Sequence, residues 1–256
     1  MERFFRESAA VAQIEMVKLL RDPTEAVSRA VQPVLWLVIF GQVLSGVRGF
    51  YTGKISYLAF ITPGILAQSV LFSAIFYGIA IIWERDLGIV HKLLVSPARR
   101  SSLVFGKAIS AGFRGIVQVV VIYAIALLMH VAIRHDFFAI TGMLAGVLLG
   151  SAIFSTFSLI IACIVKTRER FMGIGQLLTM PMFFTSNAIY PLEIMPGWLR
   201  TIAQFNPLTY LIDLLRGLML EGGASAHGYA LDFAVLLAVF CLLMLIAVRL
   251  YPSLAA

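Results

Sequence analysis

The chain has 256 residues, of which 61% are hydrophobic and only 13% are charged, and its mean hydropathy is +0.95. This composition excludes a water-soluble globular domain and indicates an integral membrane protein. The formal net charge of +7 does not indicate a nucleic-acid-binding protein, because the basic residues are spread along the chain without a compact basic and aromatic domain.

The first element in the chain is a charged segment, residues 1–22. We expect no cleavable signal peptide here, because the segment lacks the apolar core that such a peptide requires. Its apolar residues instead recur at helical spacing: Phe5, Ala9, Ala12, Met16 and Leu19. We therefore predict an amphipathic helix that lies along the cytoplasmic surface of the membrane.

Six apolar segments are long enough to cross a membrane, given a rise of about 1.5 Å per helical residue and a hydrocarbon core about 30 Å thick. The predicted spans are residues 26–46, 55–83, 108–133, 137–165, 171–191 and 230–250. With the N-terminus inside, three quarters of the 20 Lys and Arg residues lie on the cytoplasmic side. The sequence thus predicts an all-α integral membrane protein, a single transmembrane domain over residues 1–256 with six spans and both termini in the cytoplasm.

The central parts of the spans contain no Asp, Glu, Lys, Arg or His. Arg29, Lys107 and Arg114 lie toward the cytoplasmic ends, where we expect their side chains to reach the membrane surface. Ion-coupled carriers and acid–base membrane enzymes usually need charged groups within the membrane, so we expect neither a catalytic site nor an ion relay. The histidines and cysteines lack metal-ligand spacing, so no metal site is expected.

No phosphate-binding loop surrounds Gly106 and Lys107, because the glycine that such a loop needs five residues earlier is missing. We therefore expect no cofactor to bind to this chain. If the protein transports actively, its energy must come from another chain.

Uncharged polar residues occur in several spans, where such groups either bond across a helix interface or line a cavity. Those of the first, second and fifth spans are Gln32, Gln42, Gln68, Ser69, Ser73, Tyr77, Gln176, Thr179 and Asn187. These are candidates for a substrate path or a subunit interface, and packing within one subunit is the alternative for each. In the fourth span, Gly142, Gly146 and Gly150 predict close helix packing, for which we favour contacts within the subunit over a dimer seam.

A charged segment, ERDLGIVHKLLVSP at residues 84–97, separates the second and third spans. Leu87, Val90 and Leu94 recur at positions i, i+3 and i+7, so a short helix would place them on one apolar face. Pro97 would end that helix or begin the next. Two interpretations are open: a docking helix for another protein, or an ordinary cytoplasmic loop made basic by membrane topology.

Residues 192–220 are too apolar for a plain loop and contain several turn residues. A seventh span here would place Asp213 and Arg216 near mid-membrane, which is energetically costly, and would move the C-terminus outside. We therefore predict a re-entrant or interfacial helical pair on the outer side, with the second helix beginning at Asn206-Pro207.

Three groups of residues, in this order, resemble the ABC transporter type-2 permease family, which includes drug-resistance and lipo-oligosaccharide exporter permeases. The first is Pro63-Gly64 in the second span. The second comprises Glu84, Arg85, Gly88, Leu94, Pro97, Gly106 and Lys107. The third is Asn206-Pro207-Leu208-Thr209-Tyr210 with Asp213 and Arg216. The likeness extends over nearly the whole chain.

The resemblance implies the membrane half of an exporter, a homodimer or occasionally a heterodimer, paired with two cytosolic ATP-binding subunits that hold ATP and magnesium. It implies that residues 84–97 form the coupling helix seated in the ATPase and that residues 192–220 cap the exit. The coupling residues are then Glu84, Arg85, Leu87, Gly88, Val90, His91, Leu94 and Pro97.

We expect an amphipathic substrate, such as a drug, a lipid-linked glycan or a polyketide, carried out across the cytoplasmic membrane. The expected contacts are membrane lipid, the ATPase and a second permease copy, and no nucleic acid. The alternatives are a membrane scaffold or regulator of an ATPase, and a stand-alone carrier. The absence of charge within the membrane argues against the carrier.

Overall fold

The computed structural model describes residues 2–21, 23–45, 55–165 and 167–255. Over these residues the regular secondary structure is helical, apart from an isolated antiparallel β-bridge between Ile133 and Leu220. The predicted all-α class is confirmed. The predicted segments 1–22 and 26–46 include residues 1, 22 and 46, which lie outside the described residues.

The helices are named in chain order. They are α1 (Glu2–Arg21), α2 (Pro23–Leu35), a π-helical turn (Trp36–Phe40), α3 (Gly41–Ser45), α4 (Tyr57–Asp86), α5 (Ile89–Val95), α6 (Arg100–Leu128), α7 (Phe137–Ile164), α8 (Arg168–Phe184), a 3-10 turn (Leu192–Ile194), α9 (Gly197–Phe205), α10 (Pro207–Met219), α11 (Tyr229–Leu250) and a terminal 3-10 turn (Tyr251–Ala255).

Four helices in the described part of the chain are long and apolar enough to cross a membrane. They are Tyr57–Asp86, Arg100–Leu128, Phe137–Ile164 and Tyr229–Leu254. They coincide with the second, third, fourth and sixth predicted spans. The run from Pro23 to Ser45 occupies the position of the first predicted span, and its π-helical turn follows Pro33, which cannot donate a backbone hydrogen bond to the helix.

Two helices differ from their predicted bounds. The third predicted span, 108–133, is shifted: α6 begins at Arg100 and ends at Leu128. The fifth, 171–191, ends early, because α8 stops at Phe184. There the Ser186 hydroxyl donates to the Phe183 carbonyl at 2.6 Å, and such local side-chain bonds compete with helix continuation.

The core is built around α4, which contacts α6, α7, α8 and α10. Its residues Ile65, Leu71 and Ile75 are fully buried. A second contact joins α7 to α10 through the three glycines of α7. A Cβ atom at Gly146 would lie 2.8 Å from Leu214, and one at Gly150 would lie 2.6 Å from Leu211. The small-residue face therefore packs within the subunit, as favoured from the sequence.

The segment between α8 and α11 turns back on itself. Asn206 caps α10 by accepting a hydrogen bond from the Leu208 N–H at 3.0 Å, and Pro207 is the first helical residue. At the end of α10, the backbone N–H of Arg134 donates to Met219 O at 2.9 Å and that of Glu221 to Ala132 O at 3.0 Å. The end of α10 therefore lies beside the end of α6.

Candidate coupling site

The loop between α4 and α6 differs from the single predicted helix over residues 84–97. Glu84 and Arg85 belong to the last turn of α4. The chain then reverses at Gly88, whose φ of +73° lies in the left-handed region that glycine adopts without strain. A short helix, α5, follows and ends before Ser96. We call residues 84–99 the coupling loop.

The predicted apolar face of Leu87, Val90 and Leu94 does not form a single exposed surface. Val90 is fully buried and Leu94 half-buried, and both pack against the protein's own core, which includes Leu103 and Tyr251. Leu87 is 70% exposed, because Gly88 separates it from α5 and changes its direction.

The apolar residues that the loop does expose are Leu87, Ile89 and Val95. Val95 is the most exposed of them, at 86%. The side chains of His91 and Lys92 are exposed on the same short helix. We call Leu87, His91, Lys92 and Val95 the docking surface.

A group of charges, buried except for Lys18, lies at the base of the loop. The carboxylate oxygens of Glu84 accept hydrogen bonds from Lys18 Nζ at 2.7 Å and from Lys107 Nζ at 2.5 Å. Glu15 accepts a further bond from Lys18 at 2.9 Å and lies 3.8 Å from both Lys107 and Arg114. We call these five residues the ion cluster. It joins α1, α4 and α6.

The ion cluster corrects the expectation that Lys107 and Arg114 reach the membrane surface. They are 3% and 7% exposed, and the Arg114 guanidinium lies 4.5 Å from the ring centroid of Tyr77. Buried charges are tolerated when they are paired, and here the acidic partners come from other helices. Glu15 was not among the residues predicted from the sequence. The signal was available, because Ser8, Ala12, Glu15 and Leu19 follow a helical spacing, and they are the residues that α1 buries.

The N-terminal half of α1 holds the end of the coupling loop. Glu7 accepts hydrogen bonds from the Arg99 backbone N–H at 3.0 Å and from Arg3 Nε at 2.8 Å. Arg3 also donates to Pro97 O at 2.7 Å. The bond from the Arg99 N–H, followed by that from Arg3, lowers the pKa of Glu7 to about 2. Glu7 is therefore ionised at neutral pH and tethers the loop.

A third attachment joins the loop to α8. Asp86 accepts a hydrogen bond from Arg168 Nη2 at 2.9 Å, and the Arg168 guanidinium lies 4.5 Å from the ring centroid of Trp83. The coupling loop is thus tied to α1, α6 and α8.

The nine polar residues proposed for a path or interface separate into two groups. Six are buried within the subunit: Gln68, Ser69, Ser73, Tyr77, Thr179 and Asn187. The Ser69 and Thr179 hydroxyls donate to carbonyl oxygens of their own helices. The other three, Gln32, Gln42 and Gln176, are exposed on α2, α3 and α8.

The residues of the outer motif form local contacts and no ion pair with each other. Asn206 also donates to Met182 O at 2.7 Å, Tyr210 donates to Gln204 O at 2.8 Å, and Thr209 is buried. Arg216 donates to Asn187 O at 2.7 Å. Asp213 instead accepts bonds from the backbone N–H groups of residues 226 and 227, at 3.1 and 3.0 Å.

The structure also brings together a group of residues that was not predicted from the sequence. Ligand-type atoms of Asp213, His227 and Asp232 lie within 4.8 Å of one another. The closest pair is His227 Nδ1 and Asp213 Oδ2, at 3.0 Å. Asp213 Oδ2 also accepts the hydrogen bond from the His227 N–H, so this oxygen is already engaged in fixing the loop after α10.

The sequence matches the model of the ABC-2 type transporter family over residues 7–220. A putative transport permease, ycf38, of Cyanophora paradoxa is 28% identical over 83% of this chain and 74% of its own length. The daunorubicin resistance ABC transporter permease protein DrrB1 of Streptomyces coeruleorubidus is 23% identical over 90% and 81%. A probable doxorubicin resistance ABC transporter permease protein, DrrC, of Mycobacterium tuberculosis is 25% identical over 81% and 74%. Since the family model covers most of the chain, this protein belongs to the ABC-2 type transporter family.

Proposed function

We propose that this chain is the permease subunit of an ATP-driven exporter in the cytoplasmic membrane and works with a separate cytosolic ATP-binding subunit. The observation that carries the proposal is the coupling loop. It offers the docking surface to the cytosol while the ion cluster and Asp86 connect it to three helices. ATP and magnesium are held by the partner, because this chain has no phosphate-binding loop.

The proposed topology has six spans with both termini inside, α1 along the inner surface, and α9 and α10 as a re-entrant pair. The run from Pro23 to Ser45 would extend about 34 Å, enough for the first span. The 17 residues of α8, with the turns that follow, form the fifth. Residues 191–194, 222–224 and 226 line one cavity, which supports a segment that returns to the side it left.

The proposed second subunit is another copy of this chain. Gln32 and Gln176 are exposed close to exposed apolar residues of the same helices, including Leu35 and Leu177. A glutamine facing lipid is unfavourable, whereas one at a helix interface can bond across it. In the proposed dimer the substrate path lies between the copies, along α2, α3 and α8.

The proposed cargo is an amphipathic drug, lipid or glycolipid. Two of the relatives are named for resistance to daunorubicin or doxorubicin, which supports a drug-like or lipid-like substrate. Proteoliposomes containing the permease and its ATP-binding subunit should move such a compound only when ATP is present. A complex that assembles and hydrolyses ATP but moves no compound would favour the regulator instead.

The docking surface provides the direct test of partnership. We expect Val95→Asp to abolish co-purification of the ATP-binding subunit, because binding would bury an unpaired carboxylate. Val95→Leu is the matched control, since it keeps an apolar side chain at the same exposed position. Both variants should insert normally into the membrane. Retained co-purification with Val95→Asp would contradict the assignment of this surface.

A further inference from the structure

A cavity of about 460 Å³ lies at the opposite end of α4 from the coupling loop. Phe60 lines it, and Phe60 and Glu84 are separated by roughly 36 Å along α4 at about 1.5 Å per residue. The side walls include Ile55, Leu192 and Ile194, and its polar residues include Asn187 and Arg216. A volume of this size falls within the range of small-molecule sites, roughly 300–1,000 Å³.

Arg216 is buried without a direct ion pair. Arg216 is 8% exposed, and its guanidinium carbon lies 3.9 Å from the ring centroid of Phe60. Nη2 donates to Asn187 O, but Nε has no acceptor. Within the described residues no carboxylate oxygen lies within 4.0 Å of the guanidinium. Asp213 and Glu193 are near enough to act on the guanidinium electrostatically, but neither is in contact with it, so a bound anion would supply the direct pair that stabilises a buried charge.

Neither of the two acidic residues that line the cavity forms an ion pair with Arg216. Asp213 is directed at the loop after α10, where it accepts bonds from Ser225 Oγ and two backbone N–H groups. Glu193 is exposed at the rim. The Asn187 side-chain oxygen also lacks a hydrogen-bond partner, although the residue is only 2% exposed. Two polar groups next to the cavity are therefore unsatisfied.

We propose that this cavity binds an oxyanion, a phosphate or a carboxylate, carried by a lipid headgroup or free in solution. The Arg216 Nε–H donates to the anion, and rotation of the Asn187 amide offers a second donor. The apolar walls of Ile55, Phe60 and Leu192 accommodate the carbon atoms attached to a headgroup. This site does not depend on the proposed export activity or on the ATP-binding subunit.

The test uses the full chain purified in a neutral detergent, with thermal unfolding followed against phosphatidylglycerol, phosphatidylcholine and inorganic phosphate. We expect an anionic probe to raise the melting temperature and phosphatidylcholine, whose choline cation cancels the charge of its phosphate, to leave it unchanged. A shift with phosphatidylglycerol alone identifies a lipid headgroup, and a shift with inorganic phosphate identifies a free anion. Either shift supports the site.

Two variants and a control make the test specific. Arg216→Gln should weaken the apparent affinity about tenfold or more, since it removes a charge-assisted hydrogen bond. Ala224→Trp should abolish binding by filling the cavity while Arg216 remains, so it decides the question even if Arg216→Gln does not fold. Arg200→Gln, at an exposed arginine of α9, should bind as the wild type does. No shift with either anion, or equal shifts in wild type and Ala224→Trp, would overturn the proposal.

Discussion

At the scale of single residues, the coupling site depends on Glu84. This one carboxylate accepts hydrogen bonds from a lysine of α1 and a lysine of α6, and it is itself 7% exposed. Its position at the last turn of α4 places it directly before the exposed docking surface. The residue therefore connects the coupling loop to α1 and α6.

We predict that Glu84→Gln destabilises the protein by about 3 kcal/mol, because it leaves the buried Lys107 without its nearest carboxylate. Thermal or denaturant unfolding of the detergent-solubilised chain measures this loss. Asp86→Asn is the matched control, two residues along the chain. Its ion pair with Arg168 is solvent-exposed, since the side chains of Asp86 and Arg168 are 38% and 41% exposed. The expected loss of unfolding free energy is therefore below about 1 kcal/mol. Equal stabilities of the two variants would show that the ion cluster does not stabilise the fold.

The partners of single charged residues could not be predicted from the sequence. Charge and spacing predict a separate element at residues 84–97, whose first residues belong to α4, but they could not reveal that Lys107 pairs with Glu84 and Glu15. These partners are far apart in the chain, and only helix packing brings them together. The positive charges were interpreted as surface groups because a single sequence does not show which acidic residue lies opposite.

At the scale of elements, the sequence predicts the bounds of a helix well where neighbouring residues determine its start or its end. The fourth span was predicted as residues 137–165 and is observed as Phe137–Ile164. Its start has a local cause, because the Asp136 side chain accepts a hydrogen bond from the Ala139 N–H at 3.2 Å. The apolar periodicity of residues 84–97 does not correspond to a single helix, because Gly88 adopts a left-handed conformation and interrupts it.

We predict that Gly88→Ala distorts the reversal between α4 and α5. A Cβ atom added at this glycine would have no other atom within 4 Å, so the effect is one of backbone strain alone, about 1–2 kcal/mol. Capture of the ATP-binding subunit and its stimulated turnover should both fall. Gly88→Asn is the control, because asparagine adopts the left-handed region more readily. If both variants couple as the wild type does, the reversal is not required for docking.

At the scale of the whole molecule, the coupling loop and the end of α10 lie near opposite ends of α6. The coupling loop lies at the C-terminal end of α4 and the N-terminal end of α6. The contacts of Arg134 with Met219 and of Glu221 with Ala132 lie at the far end of α6. The end of α10 therefore lies at the end of α6 that is far from the coupling loop, and α6 is long enough to cross a membrane.

This arrangement predicts that residues 192–220 enter and leave on the outer side. Single cysteines at Glu193, Gln204 and Glu221, in a background without Cys163 and Cys241, should all react with a membrane-impermeant thiol reagent added to intact cells. Cysteines at Arg100 and Arg168, beside the coupling loop, should react only after permeabilisation. The physical reason is that residues 193 and 222, near the two ends of the segment, line the same cavity and so lie on the same side. If position 193 is labelled from outside and position 221 only after permeabilisation, the segment crosses the membrane, the C-terminus is external and the six-span topology is wrong.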